Sequence, residues 1–341
     1  MTQQTYALPP GSRILVTGAN GYIASHVIDL LLKRGYRVRG QVRQSRPWLD
    51  KLFQERYGDL FESVVLADLG DRDAVSPLIK DVAGMMLIAT DISFAEDHSI
   101  IEETVKRTLT WLELAAGNNC IKRVVLTSSA GACTAPVADK PVVFDKDSWN
   151  ESSLKAVQDN VAELPGLMGG SIYAASKTEG ERRAVKWVEE NHPPFVFNRV
   201  VPYWTLGPRI HPEVGNIFGS MSLTSGLAKG LGDFMQAFPP MWYVSVEDVA
   251  QLHVAALLDP ELESERIFAM AAPFNWSDVV GIMRKLQPHN SKIPDPPANE
   301  GRSLHLFVGV EKAEQILREF CGRPGWTSLE ECLAVGLPTY E

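Results

Sequence analysis

The chain has 341 residues, of which 45% are hydrophobic and 22% charged, and it carries a formal net charge of −9. That composition supports a sizeable core and either two domains or one large α/β domain with an appended lobe. The acidic balance argues against nucleic-acid or anionic-membrane partners, so an anionic ligand would have to be held by local groups.

Met1 to Pro10 is polar and lacks a basic n-region and an apolar h-region, so no secretory signal is expected. No apolar run approaches the ~18 residues of a membrane span. Cys120, Cys133, Cys321 and Cys332 have no CxxC spacing and read as reduced, cytoplasmic thiols. The histidines form no HxxxH pair, so no metal site is expected.

Residues 13–17 read as a first strand, followed by Val16-Thr17-Gly18-Ala19-Asn20-Gly21-Tyr22-Ile23-Ala24. Ile23, Val27, Leu30 and Leu31 then recur at helical spacing until Gly35. A strand, a glycine turn and a helix are what a pyrophosphate needs, because it sits against unpaired N–H groups at a helix N-terminus. Gly18, Gly21, Tyr22 and Ile23 are therefore candidate cofactor contacts. The same pattern also fits an ordinary strand-to-helix turn, and the downstream motifs decide between the two.

Residues 36–42 alternate as a second strand. An NAD site usually has Asp or Glu about 20 residues past the glycines, for the ribose 2′-OH. This strand runs instead into Arg43-Gln44-Ser45-Arg46. A guanidinium suits a 2′-phosphate, so NADPH is favoured over NADH, with Arg43 as its ligand. Arg39 and Arg46 read equally as a solvated basic turn.

Residues 48–57 read as a helix and 62–67 as a third strand ending at Asp68-Leu69. Asp68 has two readings, an acceptor for an adenine amino group or a cap on the next helix, and Leu69 stands beside it. A helix near 72–80, a strand at 84–89, a helix over 99–116 and a strand at 122–127 follow. The alternation predicts a doubly wound parallel sheet of Rossmann type. Residues 131–170 read as an irregular and therefore functional loop.

The fifth strand ends in Thr127-Ser128-Ser129, and Ser171-Ile172-Tyr173-Ala174-Ala175-Ser176-Lys177 opens a later helix. Tyr173 and Lys177 are four apart and share one helix face. An ammonium near a phenol lowers its pKa, so Tyr173 can pass a proton to a carbonyl oxygen while Ser129 holds that oxygen. Lys177 can also hold the nicotinamide ribose.

These blocks resemble the extended short-chain dehydrogenase/reductases, in particular the dihydroflavonol-reductase-like branch and its fungal NADPH-dependent aldehyde and carbonyl reductases. The resemblance runs over almost the whole chain. Besides the glycine and Tyr/Lys blocks it includes Arg123-Val124-Val125-Leu126-Thr127-Ser128-Ser129, Tyr243-Val244-Ser245-Val246-Glu247-Asp248-Val249 and Gly322-Arg323-Pro324-Gly325-Trp326. It implies Ser129, Tyr173 and Lys177 as the catalytic set, Arg43 as the 2′-phosphate ligand, and Pro202, after the strand at 195–201, beside the nicotinamide amide. Pro202 reads equally as a simple strand terminator. Two departures stand out: Leu87-Ile88-Ala89 replaces His-x-Ala, and Val105-Lys106-Arg107 replaces a glycine-containing step.

Residues 1–200 are expected to form the NADP-binding domain, including the 131–170 loop and the Tyr/Lys helix. Residues 201–341 form mainly a smaller, mostly helical substrate lobe, with 243–270 returning to the Rossmann core. Ile217, Phe218, Met221 and the run Phe234 to Trp242 suggest an apolar cover. Phe94, Phe238, Met241 and Trp242 are the candidate pocket residues. Asp248 reads as a helix cap, His253 as a satisfied core histidine, and helices are expected near 276–286, 311–319 and 327–335.

The expected activity is NADPH-dependent reduction of a hydrophobic aldehyde or ketone, such as a secondary-metabolite carbonyl, by a cytoplasmic monomer or homodimer. The alternatives are an NAD-retaining sugar-nucleotide epimerase or dehydratase, and an NADP(H)-binding protein without turnover.

Overall fold

The computed structural model describes residues 5–164, 166–214 and 219–340. β1 (Arg13–Thr17) passes through the glycine turn into α1 (Tyr22–Lys33), followed by β2 (Arg37–Val42), α2 (Pro47–Tyr57), β3 (Phe61–Val65) and the single turn α3 (Arg72–Val75). Next come β4 (Gly84–Leu87), α4 (Ser99–Ala116), β5 (Arg123–Thr127), β6 (Val142–Phe144), α5 (Glu151–Asp159), α6 (Met168–Asn191) and β7 (Val196–Pro202). The remainder is β8 (Trp204–Leu206), α7 (Ser220–Gly226), β9 (Met241–Ser245), α8 (Val246–Leu258), β10 (Arg266–Ala269), β11 (Ala272–Phe274), α9 (Trp276–Leu286), β12 (His305–Phe307), α10 (Val310–Glu319) and α11 (Leu329–Gly336).

Seven strands form one sheet in the order β10-β7-β5-β4-β1-β2-β3, every pair parallel. Helices cover both faces, which is why β1, β4 and β5 are continuous apolar runs rather than alternating ones. Val27 and Leu31 of α1 pack with Val249 and Leu252 of α8 on one face. Trp111 and Leu112 of α4 pack with Ala184 of α6 and Phe197 on the other. The winding direction reverses between β1 and β4, and that reversal opens a crevice at the carboxyl ends of the strands.

The return of α8 and β10 to this sheet is fixed by buried polar groups. The last carbonyls of a helix have no partner within it. At the end of α8, Arg123 Nη2 donates to Ala256 O, Asp259 O and Leu262 O, at 3.2, 2.7 and 2.7 Å. Asn198 Nδ2 donates to Ala256 O and Leu262 O as well, both at 2.8 Å. Side chains of β5 and β7 thus cap α8.

Two features differ from the sequence expectation. The lobe is not only helical, since β8, β9 and β11 make a three-stranded sheet. The segment 131–170 is not wholly irregular either: it contains β6 and α5, and β6 pairs in parallel with β12. Strands of three residues lie below the length at which alternation can be read from sequence.

His253 of α8 is fully buried, as expected of a satisfied core histidine. Its Nδ1 lies 2.8 Å from Val249 O and its Nε2 lies 2.7 Å from Thr127 Oγ1. A carbonyl only accepts, so Nδ1 carries the hydrogen and Nε2 accepts from Thr127. Burial pushes the imidazole pKa down to about 4, against a smaller upward pull from the Val249 carbonyl. Below the ordinary value of 6.5 the unfolded chain takes up a proton that the folded His253 refuses. Stability is therefore fully present above pH 6.5 and is lost as pH falls toward 4, by up to about 3 kcal/mol from this group. Thermal melting across that window should show the loss. His253→Leu should flatten it, while costing about 1–3 kcal/mol at pH 7 because Thr127 loses its acceptor.

Candidate active site

Gly18 adopts φ +68°, and a Cβ there would stand 3.1 Å from Ala89 Cβ, so the turn between β1 and α1 requires glycine. Gly21 N donates to Gly18 O at 2.7 Å. Gly21 is also the N-cap of α1, with no side-chain cap and no acid in the first turn. The first N–H groups of α1 are left to face an anion. Two residues not identified from the sequence brace the turn. Thr17 Oγ1 accepts from Ile88 N and Ala89 N at 2.9 and 3.0 Å, which ends β4 at Leu87. Gln41, 1% exposed, accepts from Gly18 N at 3.0 Å and donates to Leu66 O at 2.7 Å, tying the turn to β3. The signal was a glutamine at a position where the strand is otherwise buried.

Tyr22 and Ile23 lie at the start of α1. The Tyr22 hydroxyl donates to Gly207 O at 2.7 Å, so that side chain clamps the loop after β8, while Ile23 packs on the core. Arg43 lies exposed just beyond β2 and forms no hydrogen bond or ion pair among the described residues. Its charge is felt at Asp91: burial raises that carboxyl, but bonds from Ser93 and the charges of Arg107 and Arg43 hold it below the usual range. Arg39 is committed elsewhere, pairing with Glu62 at 2.8 Å and Asp81 at 2.9 Å, so it is structural. An exposed guanidinium at the end of β2 has the chemistry to pair with a 2′-phosphate.

Asp68 is exposed and accepts from Gly70 N at 2.8 Å, shaping the turn after β3. The cap of the following helix is Asp71, whose carboxylate accepts from Asp73 N and Ala74 N. The capping reading of Asp68 is thereby corrected. Leu69 packs against the core on the α4 side. Asp248 is also not a cap. Ser245 caps α8, while Asp248, fully buried, accepts from Thr327 N at 2.8 Å and pairs with Arg323 at 3.1 Å.

Ser129, Tyr173 and Lys177 converge where β5 meets α6. The Ser129 side chain lies near enough to the Tyr173 hydroxyl to act on its pKa. Lys177, 6% exposed, donates to Thr127 O at 2.7 Å. Burial pushes the Lys177 ammonium down to about 8, opposed by the Glu181 carboxylate. Burial raises the Tyr173 pKa, and the Ser129 side chain is the opposing influence. The expectation that Lys177 draws the phenol down is therefore not met in this state, because its ammonium is turned to a backbone carbonyl. A phenol held in its protonated form is nevertheless the form that donates a proton.

Phe94 reaches this point from the loop after β4. Its ring centroid lies 5.3 Å from that of Tyr173. A Cβ at Gly169 would fall 1.8 Å from Phe94 O, so the start of α6 can approach that loop only with glycine there. Pro202 is buried at the end of β7, paired with Ala269. Trp242 packs on the cluster holding Ala130 and Cys133, next in the chain to Ser129, together with Tyr203. Met241 and Phe238 do not join them. Met241 is 2% exposed in the lobe core, and Phe238 stacks on Trp204 at 5.3 Å. Strand alternation in β9 is the reason, since it turns Met241 and Trp242 to opposite faces. Ile217 and Phe218 lie outside the described residues. Of the two departures, Leu87 and Ile88 are buried in the cores flanking β4, and Arg107 pairs with Glu103 at 2.6 Å. A surface recess along α2, lined by Asp50 and Glu55 among others, contains none of the site residues. Among the described residues no cluster of metal-ligating side chains occurs, and no helix is long and apolar enough to cross a membrane.

The pattern of the NAD dependent epimerase/dehydratase family matches residues 14–271. Ketoreductase adrE of Penicillium rubens is 43% identical over 343 residues, covering 99% of this chain and 99% of that protein. Aldehyde reductase 2 of Sporidiobolus salmonicolor is 36% identical over 333 residues, covering 96% and 95%. Yeast methylglyoxal/isovaleraldehyde reductase Gre2, solved as an NADPH complex, superimposes with a TM-score of 0.79 at 24% identity over 96% of this chain and 98% of that one. The parallel sheet, its glycine turn and the Ser/Tyr/Lys cluster are thus found in a chain that, on the extent of these matches, belongs to the NAD dependent epimerase/dehydratase family.

Proposed function

We propose that this protein is an NADPH-dependent carbonyl reductase that converts a hydrophobic aldehyde or ketone to an alcohol. The observation that carries this reading is the meeting of Ser129, Tyr173 and buried Lys177 beside the crevice at the β1/β4 reversal. Two full-length relatives named as a ketoreductase and an aldehyde reductase support it.

The uncapped start of α1 would hold the pyrophosphate, Arg43 the 2′-phosphate, Lys177 the nicotinamide ribose, and Pro202 the edge of the nicotinamide. Asp68 is the candidate for the adenine amino group. When bound, NADPH supplies a hydride to the carbonyl carbon. Tyr173 gives its proton to the carbonyl oxygen, and Ser129 donates a hydrogen bond to that oxygen as negative charge grows on it. The Lys177 ammonium would stabilise the phenolate left behind once it turns from Thr127 O toward the phenol. The rings of Phe94, Trp242 and Tyr203 would receive an apolar substrate. The four free cysteines suit a reducing cytoplasm, and a monomer or homodimer would suffice because every named group comes from one chain. The NAD-retaining epimerase reading finds no acid at the end of β2 to support it.

The reading is tested by following NADPH oxidation with a panel of aromatic and aliphatic aldehydes and ketones, with NADH in parallel. Turnover with NADPH is expected, and its absence across the panel would overturn the assignment. Tyr173→Phe should lower kcat by about 100-fold or more while NADPH still binds, as fluorescence titration would show. Arg43→Ala should raise KM for NADPH by about 10–100-fold, consistent with the loss of a charge-assisted bond, and leave KM for NADH nearly unchanged.

A further inference from the structure

Lys177 places an ammonium in the interior with a single hydrogen bond to the protein, to Thr127 O. An ammonium has three donors. One turn along α6 stands Glu181, whose side chain is 1% exposed. Its Oε2 accepts from Ser128 Oγ at 2.6 Å and from Arg266 Nη2 at 2.9 Å. Its Oε1 lies 2.8 Å from Arg266 Nε and 3.9 Å from Arg199 Nη1. A small cavity of about 10 Å³ lies between Lys177, Glu181, Ser128, Ser176, Thr104 and Thr108, which is room for one water among several polar partners.

Glu181 brings the buried negative charge to this cluster. Lys177, Arg199 and Arg266 are three cations around one buried carboxylate. Arg266 also senses Asp147 and Cys133, and Arg199 senses Glu189 and Glu265. The face of α4 toward the cavity offers only the hydroxyls of Thr104 and Thr108, and His253 behind Thr127 is neutral. On α6 the other ionisable neighbour is Tyr173. Among the described residues, Glu181 is the carboxylate whose charge acts on Lys177.

We infer that Glu181 is a positioning residue for the reduction: clamped by Arg266 and Ser128, it sets its charge across a small cavity from the Lys177 ammonium and braces the strand end whose Thr127 carbonyl holds that ammonium. Arg266 holds the carboxylate by donating from Nη2 to Oε2, with its Nε in ion-pair contact with Oε1, and Ser128 ties it to the same strand end that carries Ser129. Removing the charge takes away the carboxylate that opposes the desolvation of Lys177, and an ammonium, unlike a guanidinium, can shed its proton. Removing only the Ser128 hydroxyl leaves the charge in place and loosens the geometry.

This inference rests on the reductase reading above, and wild-type turnover separates the two. The experiment compares wild type, Glu181→Gln, the double variant Glu181→Gln/Arg266→Gln and Ser128→Ala. Each is checked for thermal melting and NADPH binding, then assayed for kcat, both KM values and the pH profile. The double variant keeps the test available should Glu181→Gln leave its buried arginine too costly for folding. Glu181→Gln is expected to lower kcat about tenfold or more with KM for NADPH within about threefold, and to move the alkaline limb about one pH unit lower. The double variant should move the limb in the same direction. Ser128→Ala should lower kcat with the limb unmoved. Wild-type inactivity would count against the reductase reading itself. With wild type active, a folded Glu181 variant whose alkaline limb does not move overturns the charge role, and Ser128→Ala with wild-type kcat overturns the clamp.

Discussion

Three consecutive residues at the end of β5 carry the attachments on which the site depends. Thr127 accepts from Lys177 through its carbonyl and donates to His253 through its hydroxyl. Ser128 donates to Glu181, and the Ser129 side chain acts on Tyr173. Alternation along a strand end would scatter successive side chains to different sides. Here each side finds a buried partner, on α6 or on α8. The register of α6 against the sheet is therefore set by polar contacts in an apolar interior, where an unmade bond is costly and a wrong register would leave several unmade.

The same economy governs charge. A chain with a net charge of −9 has no general attraction for a dinucleotide phosphate. The structure supplies local attraction at two places, the bare N–H groups of α1 and the unpaired Arg43. It withholds other cations by pairing them, as Arg39 shows with Glu62 and Asp81 and Arg323 with Asp248. Ion pairs at the surface contribute little to stability. Their consequence here is selective: Arg39 is committed to carboxylates, while Arg43 just beyond β2 is exposed and in no ion pair among the described residues.

The C-terminal half is joined to the sheet by contacts of high sequence separation. Arg123 and Asn198 cap the end of α8, Asp248 receives Thr327, and β12 pairs with β6 across more than a hundred and fifty residues. These joints bring Trp242 and Tyr203 against the cluster beside Ser129 while Met241 and Phe238 stay within the lobe. The boundary between lining and core thus runs between neighbouring residues of β9.

The amino-acid sequence by itself determined the alternation of strands and helices, the glycine turn and the Ser129, Tyr173 and Lys177 set. Each of these is a local pattern: buried strands are continuous apolar runs, helices repeat every 3.6 residues, and Tyr173 and Lys177 share a face because they are four apart. Only the tertiary structure decided which polar residues are spent on architecture. Gln41 bracing the turn, Asp71 in place of Asp68 as the cap, Ser245 in place of Asp248, and Glu181 behind Lys177 all depend on partners distant in the chain. It also decided which aromatic residues meet the site, because three-residue strands and long loops carry too short a pattern to show which face each side chain takes. The protonated state of Tyr173 belongs to the same class. Spacing placed Lys177 near it, but burial raises the phenol pKa against the opposing influence of Ser129, and burial is a property of the folded whole.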